Sequence, residues 1–242
     1  MGADQFVVID DNSSLSEEIP GEGIMNTHEV CQSFQSDRII YRRNTENIGV
    51  AGAWKNYYHK DCSACYTMAV TDKDEFIGSE PLVSALRKLD ADPQLAFVVL
   101  PLHQRDRVMQ DRFINFSYAR MSGREYLRNY VKDDALQHCS IWGIMRVKCV
   151  RASGLPRPMN LRQFGLEDSF GIDLDFVLKM ATQGDVDFEV EPAVRRSIIA
   201  GSTEKMPLIF AYTYFQYAKR VFTELRATKF IEADTERTYV AF

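Results

Sequence analysis

Residues 6–14 read Phe-Val-Val-Ile-Asp-Asp-Asn-Ser-Ser, an apolar run that ends in two aspartates and a turn-forming stretch. A continuous apolar run of this kind predicts a buried strand, here Gln5–Ile9. Open α/β sheets bind ligands beyond the carboxyl ends of their strands, which makes Asp10 and Asp11 candidate ligand-binding residues. Aspartate and asparagine also favour turns, so a polar turn that merely ends the strand is an equal alternative.

Strands and helices alternate outward from this stretch through the first hundred residues. Further strands are predicted over Arg38–Tyr41, Ala64–Val70 and Leu95–Leu100, and helices from about Val50 to His59 and from Glu80 to Leu89. This rhythm predicts the α/β class, with a mostly parallel sheet flanked by helices.

The second part of the chain mixes the two element types. The pattern predicts helices near Gly123–Val131, Phe170–Thr182 and about Glu204–Leu225, and strands near Cys139–Arg146 and over Val186–Val190. The last of these strands alternates apolar and acidic residues, which indicates a half-exposed strand, not a central one. This half of the chain is therefore expected to cap the sheet.

Composition narrows the class of protein. At roughly 100–200 residues per domain, 242 residues predict one large domain, or one domain with a small appendage. The apolar fraction is 45% and the charged fraction 26%, values that favour a folded globular chain over a disordered one. The formal net charge is −5 and no basic stripe occurs, so nucleic acid is not an expected partner.

No membrane or secretory segment is predicted. The longest apolar run, Leu95–Leu102, falls well short of the roughly 18 residues that a membrane-spanning helix needs. The N-terminus lacks the basic and apolar regions of a signal peptide. The odd and sparse cysteine set fits free thiols in a reducing compartment; its members are Cys31, Cys62, Cys65, Cys139 and Cys149. The cytoplasm is the predicted location.

A second acidic motif follows the predicted strand Ala64–Val70. Its sequence is Thr71-Asp72-Lys73-Asp74, and in an extended backbone side chains two residues apart point the same way. Paired carboxylates at a strand end can hold a hard divalent cation, Mg²⁺ or Mn²⁺, together with substrate phosphates. For so short a pattern, a solvated turn whose charge Lys73 balances is the stronger alternative.

The segment between the two acidic motifs supplies a resemblance. Residues 43–58 read RNTENIGVAGAWKNYY, and the order of this segment after VVIDDNSS and before TDKDEF resembles the inverting family two glycosyltransferases of the GT-A fold. That resemblance implies a nucleotide-diphosphate sugar donor and a carbohydrate or glycoconjugate acceptor. It gives contact with the base or ribose to Asp10 or Asp11, and contact with ribose to Asp72.

The resemblance assigns two further positions of the donor half. Asp74 matches the residue that holds a divalent metal bridging the diphosphate, so Mn²⁺ or Mg²⁺ is the implied cofactor. Asn47 and Gly49 belong to the pattern Asn47-x-Gly49-x-x-Gly52, which opens a helix near the nucleotide, where glycine lets the backbone approach closely. Ordinary packing at a helix entry is the alternative for the two glycines.

A third motif contains Asp173 and Asp175. Asp173 shares the apolar stripe of Val177 and Met180, which predicts an inward position at the helix start, whereas Asp175 precedes Lys179 by four residues and predicts a solvated ion pair. The segment resembles the family helix whose Asp deprotonates the acceptor hydroxyl, with Ile172 in place of the usual Glu. The resemblance makes Asp173 the general base; interaction with helix N-terminal amides is the alternative.

The segment around Arg195 resembles the family's strand and loop that close over the donor. An arginine there would stabilise the leaving nucleotide, and Arg195 is the predicted residue, although the sequence does not distinguish it from Arg196. The family often has a histidine in this loop, where this chain has Ile198 and Ile199. A surface salt bridge made by this arginine is an equally supported alternative.

The resemblance extends from about Phe6 to Ser202 and starts late, because only four residues precede Gln5 where the family has another strand. The predicted organisation is one GT-A-like domain, 1–242. It has a nucleotide-sugar-binding half over about 5–100, an acceptor-side half over about 101–202, and a C-terminal helix and tail over about 203–242. The chain is then a shortened form of the family fold, or another segment fills the place of that strand, or a partner subunit covers the open sheet edge. The last alternative is favoured, because an exposed central strand would aggregate, and it predicts a homo-oligomer. A non-catalytic nucleotide- or partner-binding relative stays the main alternative, and a receiver-like phosphoacceptor the third.

Overall fold

A computed structural model of the chain describes residues 5–13, 17–19, 23–71, 74–106, 112–114, 117–130, 132–133, 136, 142–154, 172–198, 216, 219–227 and 229–230. The backbone contacts divide the chain into two compact units, Met1–Lys60 and Asp61–Phe242. The single domain stays a prediction, and each unit is described by itself.

The strands are β1 (Phe6–Asp10), β2 (Glu17–Ile19), β3 (Gly23–Met25), β4 (Ile39–Arg43), β5 (Tyr66–Thr67), β6 (Asp74–Phe76), β7 (Leu95–Val99), β8 (Leu102–Asp106), β9 (Arg112–Ile114), β10 (Gly143–Arg146), β11 (Asp185–Phe188) and β12 (Val194–Ile198). The helices are α1 (Thr27–Ser33), α2 (Gly49–Asn56), α3 (Glu80–Ala91), α4 (Gly123–Tyr130), α5 (Val147–Ala152), α6 (Ile172–Met180) and α7 (219–227). A π-helical turn, Tyr57–Asp61, follows α2.

The first unit contains a parallel pair and a hairpin. Strands β1 and β4 run in parallel, from the pair Phe6↔Ile39 to the pair Asp10↔Arg43. Strands β2 and β3 form an antiparallel pair. Helix α1 begins with a capping box, in which Asn26 and Glu29 each accept a hydrogen bond from the backbone of the other. Parallel pairing brings the carboxyl ends of β1 and β4 to the same edge.

A four-stranded sheet in the second unit holds its core. Its order is β11-β7-β10-β5, and all five residues of β7 are buried. The apolar run Leu-Ala-Phe-Val-Val thus has neighbours on both faces, as such runs do in central strands. Strand β11 lies at one end of this order, and its buried Val186 and Phe188 alternate with partly exposed aspartates. The predicted half-exposed strand is confirmed over Asp185–Phe188, but the predicted alternation does not continue to Val190, because Glu189 is buried and Val190 is 66% exposed.

The other four-stranded sheet of this unit has the order β6-β12-β8-β9. Across the described residues, three strand pairs are parallel, namely β1–β4, β7–β11 and β8–β12, and the remaining pairs are antiparallel. The α/β class is confirmed, and the pairing is mixed where a mostly parallel sheet was expected. Periodicity identifies a strand but not its partner, and the short connection from β8 to β9 leaves room only for a hairpin.

Most predicted elements occur within a few residues of their expected bounds. The main exception is the strand predicted over Ala64–Val70, of which only Tyr66–Thr67 pairs. Of the helix predicted over about Glu204–Leu225, residues 219–225 are helical, and most of the rest lies outside the described residues. In the part of the chain that the structure describes, the helices are too short or too polar to traverse a bilayer.

Arg146 joins three elements of the second unit. Its guanidinium donates to the backbone carbonyls of Leu95, at 2.7 Å, and of Asp92, at 2.8 Å, and also to that of Leu89. Because Leu89 and Asp92 lie at the C-terminal end of α3, the arginine charge sits where the helix dipole favours a cation. The guanidinium also lies over the ring of Tyr66 in β5, 5.4 Å from its centre.

Gly123 is a position where the fold admits no side chain. A Cβ atom there would lie 1.7 Å from the carbonyl oxygen of Ala181 and 2.6 Å from that of Gly184, and both are backbone atoms. We therefore expect Gly123→Ala to lower the free energy of unfolding by about 3 kcal/mol or more. Urea denaturation followed by circular dichroism measures this change.

Gly78 provides the matched control, because a Cβ atom there would meet nothing closer than 3.9 Å. Gly78→Ala is expected to change the free energy of unfolding by less than about 1 kcal/mol. Equal effects of the two substitutions would contradict the packing of α4 against the end of α6.

Candidate functional site

Asp11 connects the end of β1 to the start of α2. Its Oδ1 accepts hydrogen bonds from the side-chain amide of Asn44, at 2.7 Å, and from the backbone N–H of Ile48, at 3.0 Å. Its Oδ2 accepts from the backbone N–H of Gly49 at 2.6 Å. Ile48, the N-cap residue of α2, has no side chain that can accept, so Asp11 takes that role from another element.

Asp10 is buried at the end of β1 in a network of its own. The Tyr41 hydroxyl donates to it at 2.5 Å, the backbone N–H of Ser13 donates at 2.7 Å, and the Arg43 guanidinium lies 3.7 Å away. Burial alone would raise the pKa of Asp10, but the bonds from Tyr41 and Ser13 and the Arg43 charge hold that pKa below its ordinary value. His28 stacks on the Tyr41 ring, with ring centres 4.8 Å apart.

The lowered pKa of Asp10 predicts an acid-dependent stability. A carboxyl whose pKa is depressed by folding stabilises the protein above its unfolded pKa of about 4, and this contribution is lost as the pH falls through the folded pKa. The free energy of unfolding of the wild type should therefore decrease between about pH 5 and pH 2. Asp10→Asn should show a shallower decrease, measured as urea midpoints over that range, and parallel curves would contradict the assignment.

Gly49 begins α2 in a conformation that favours glycine. Its φ angle is +72°, and a Cβ atom there would meet nothing within 4 Å, so the backbone conformation and not crowding selects glycine. The side chain of Asn47 accepts a hydrogen bond from the backbone N–H of Gly49 at 3.2 Å. Gly52 is packed against the side chain of Ile48, where a Cβ atom would approach to 3.0 Å. Glycine is thus favoured at position 49 by the backbone conformation and at position 52 by close packing.

Asp74 opens β6 with a side chain that is only 1% exposed. Its Oδ2 accepts from the backbone N–H of Thr71 at 2.7 Å, the Thr71 hydroxyl at 3.0 Å and the indole N–H of Trp142 at 3.0 Å. Its Oδ1 accepts no hydrogen bond among the described residues. The intervening Asp72 and Lys73 lie outside the described residues.

The two arginines of β12 point to opposite faces, as neighbours on a strand do. Arg196 pairs across the strands with Asp74 and places a guanidinium nitrogen 3.7 Å from Oδ1, while the guanidinium lies over the Trp142 ring at 4.8 Å. Arg195 instead contacts Glu75 at 3.2 Å and His103 at 3.3 Å. The structure thus brings Arg196 to Asp74, a choice that the sequence left open.

Among the described residues around Asp74, one oxygen atom is suited to bind a divalent cation. The described residues contain no cluster of three or more His, Cys, Asp or Glu side chains that could form a complete cage. Asp74 nevertheless offers one buried carboxylate oxygen without a hydrogen bond, which is an atom that a hard cation would satisfy. Magnesium-type sites often use only one or two carboxylates, with substrate phosphates and water completing the shell.

Asp175 corrects the interpretation of the third motif. It was expected to form a solvated ion pair, but it is fully buried, with Lys179 at 2.9 Å and Arg220 of α7 at 3.4 Å. The predicted ion pair with Lys179 is confirmed, but the prediction that it lies at the surface is wrong. Residues 175–178 are all buried, so this turn of α6 is surrounded by protein and has no single apolar stripe that predicts its orientation. The backbone of Asp173 lies in α6, and its side chain is outside the described part.

Three contacts of the candidate site residues could not be predicted from the sequence. Two of them depend on which strands pair, namely Tyr41 on Asp10 and the choice of Arg196 over Arg195. The third is Trp142 on Asp74, which joins the start of β10 to a strand of the other sheet. Trp142 is 68 residues from Asp74 along the chain, and no spacing in the sequence connects them. Alternation along a strand predicts that Arg195 and Arg196 lie on opposite faces, but it does not predict which of the two faces Asp74 shares.

Comparison with solved structures shows that this chain shares its fold with a known protein. The chain superimposes on S. aureus TarS, a glycosyltransferase, with a TM-score of 0.59 and 12% identity, over 91% of this chain and 34% of that one. TarS 1-349 in complex with UDP matches at a TM-score of 0.56 and 14% identity, and its UDP-GlcNAc complex at 0.56 and 12%; these matches cover 91% of this chain and 56% and 57% of the TarS chains.

At such identities the likeness establishes the fold, and the predicted GT-A-type α/β fold is confirmed. The chain spans between a third and just over half of the length of these TarS chains. No protein-family model matches the sequence, and no curated protein sequence does either.

Proposed function

We propose that this chain is a glycosyltransferase that moves a sugar from a nucleotide-diphosphate donor to an acceptor hydroxyl, with inversion and with metal assistance. The observation that carries the proposal is the fold shared with TarS over 91% of the chain, including TarS structures that hold UDP and UDP-GlcNAc. The carboxylates at the end of β1 and at the start of β6 are of the residue type that binds a hard cation together with a diphosphate.

The proposed reaction is one in-line displacement. The acceptor hydroxyl oxygen bonds to the anomeric carbon as the bond from that carbon to the diphosphate breaks, and the hydroxyl proton passes to the carboxylate of Asp173. Attack opposite the leaving group inverts the anomeric centre. A carboxylate base orients the hydroxyl as well as accepting its proton.

The donor side is assigned by residue. Asp74 would hold Mn²⁺ or Mg²⁺, which when bound neutralises charge on the departing diphosphate. Asp72 and Asp10 or Asp11 would contact ribose or base, Asn47 and Gly49 would lie near the nucleotide, and Arg195 or Arg196 would stabilise the leaving group. The proposed acceptor is a carbohydrate or glycoconjugate. The protein is further proposed to form a homo-oligomer and to be located in the cytoplasm.

A non-catalytic protein that binds a nucleotide or a partner is the second candidate. It is favoured by the internal contacts of one proposed donor-binding residue, because both oxygens of Asp11 accept hydrogen bonds from the protein itself. Carboxylates that are satisfied within the protein have less to offer a ligand.

A nucleotide panel separates the two candidates. Calorimetric titration with UDP, GDP and dTDP, each with and without Mn²⁺, measures binding, and release of free sugar from the corresponding donors measures slow hydrolysis. Metal-dependent binding with hydrolysis is expected for the transferase. Binding without hydrolysis would favour the non-catalytic protein, and a protein that binds none of the three would contradict the transferase.

A further inference from the structure

Asp74 and Arg196 form an unusual ion pair. The carboxylate is almost completely buried, and its two oxygens differ: Oδ2 accepts three hydrogen bonds, whereas Oδ1 accepts none among the described residues. A buried carboxylate oxygen without a hydrogen bond is costly unless a positive charge lies nearby. Arg196 places that charge 3.7 Å away, beyond hydrogen-bond distance.

The guanidinium of Arg196 is held loosely compared with the carboxylate. Its side chain is 29% exposed, and its other described contact is the face of Trp142 at 4.8 Å. Strong arginine–carboxylate pairs are bidentate, with two parallel hydrogen bonds, and this pair has none. The arginine can therefore leave Oδ1 without breaking a hydrogen bond to Asp74, whereas three hydrogen bonds hold the carboxylate in place.

We propose that Arg196 is a stand-in cation for Asp74, which a divalent cation must displace in order to bind Oδ1. The inference rests on the proposed function, in which Asp74 holds the metal. Two positive groups cannot share one buried carboxylate oxygen without strong repulsion, since charges interact more strongly there than in water. Arg196 is thus a positioning residue that keeps Oδ1 neutralised in the metal-free protein and lowers the metal affinity.

The test measures Mn²⁺ affinity with the metal alone. The indole of Trp142 donates to Asp74, so a paramagnetic ion on Oδ1 would quench its fluorescence. The chain has two tryptophans, and Trp54→Phe leaves Trp142 as the only reporter. In this background Arg196→Met is expected to lower the dissociation constant for Mn²⁺ by about tenfold or more, because the competing charge is gone.

Three variants control this result. Arg195→Met removes the same charge from the opposite face of β12 and should change the Mn²⁺ affinity by less than about threefold. Arg196→Lys keeps the charge and should keep the weak affinity. Asp74→Asn combined with Arg196→Met should lose the gain, because the binding oxygen has lost its charge.

Unchanged or weaker Mn²⁺ binding in Arg196→Met would overturn the proposal, as would a gain that survives Asp74→Asn. If Arg196→Met fails to fold, Arg196→Gln is the second neutral variant. Electron paramagnetic resonance of free Mn²⁺ gives the same affinity in a chain that keeps both tryptophans. Failure of the proposed function is a separate result: a protein that binds no nucleotide diphosphate but gains Mn²⁺ affinity in Arg196→Met retains the stand-in role.

Discussion

Asp173→Asn is expected to lower the turnover of glycosyl transfer by about 10²- to 10⁴-fold, the usual contribution of a general base. Asparagine keeps the size of the side chain and a carbonyl oxygen that can still accept from helix N-terminal amides, but it cannot take the proton of the acceptor hydroxyl. Donor affinity should remain near that of the wild type, since the loss belongs to the transition state. Initial rates with saturating donor, together with nucleotide titrations and melting curves, measure the three quantities.

Asp175→Asn is the paired control, and the structure changes what it should do. Because Asp175 is buried between Lys179 and Arg220, loss of its charge should lower the free energy of unfolding by about 2–4 kcal/mol. The expected contrast is a slow but stable Asp173 variant and an unstable Asp175 variant with ordinary turnover per folded molecule. The opposite result, with transfer lost in a stable Asp175→Asn protein, would move the base to Asp175.

Asp74→Asn is expected to weaken the Mn²⁺-dependent binding of a nucleotide diphosphate by about 100-fold or more. The substitution retains a carbonyl that can accept from Thr71 and Trp142, but it removes the charge that attracts a divalent cation. Arg196 would then lack its counter-charge, so a stability loss of about 1–3 kcal/mol should accompany the change. Calorimetry with and without Mn²⁺ separates the metal effect from the loss of stability.

Glu75→Gln is the matched control for Asp74→Asn. Glu75 is the next residue of β6, its side chain is 63% exposed, and it pairs with Arg195 on the other face. Glu75→Gln should change the free energy of unfolding by less than about 0.5 kcal/mol and leave the nucleotide affinity unaltered.

Asp72→Ala should weaken donor binding less than Asp74→Asn if Asp72 holds ribose through a hydrogen bond. Full Mn²⁺-dependent affinity in Asp74→Asn would remove the metal assignment.

Local patterns account for the elements that the sequence predicted well. The apolar run of β7 can be satisfied only by burial on both faces, and the alternation in β11 only by one buried face. Helix α3 likewise has its start in Glu80-Pro81, a pair typical of a first helical turn, and it ends within two residues of the predicted end. Each of these signals is contained in a few consecutive residues.

The third motif shows where such patterns stop. An apolar stripe predicts the orientation of a helix such as α6 only where one face of the helix is open to solvent. Packing against α7 and its surroundings buries Asp175 instead, and the partner that makes this possible, Arg220, is 45 residues away along the chain. A buried charge can be predicted only when its counter-charge is known.

Short stretches of sequence are enough to predict the α/β class, the order of the main elements and the acidic residues next to the strands, because backbone propensity and burial of consecutive side chains are local properties. Three other features are visible only in the folded chain: β10 runs antiparallel to β7, Asp11 caps α2, and Arg196 rather than Arg195 lies beside Asp74. These facts depend on strand pairing and register, in which a shift of one residue turns every side chain to the other face. The free energy that selects the register comes from contacts between residues far apart in the chain, and local sequence does not encode those contacts.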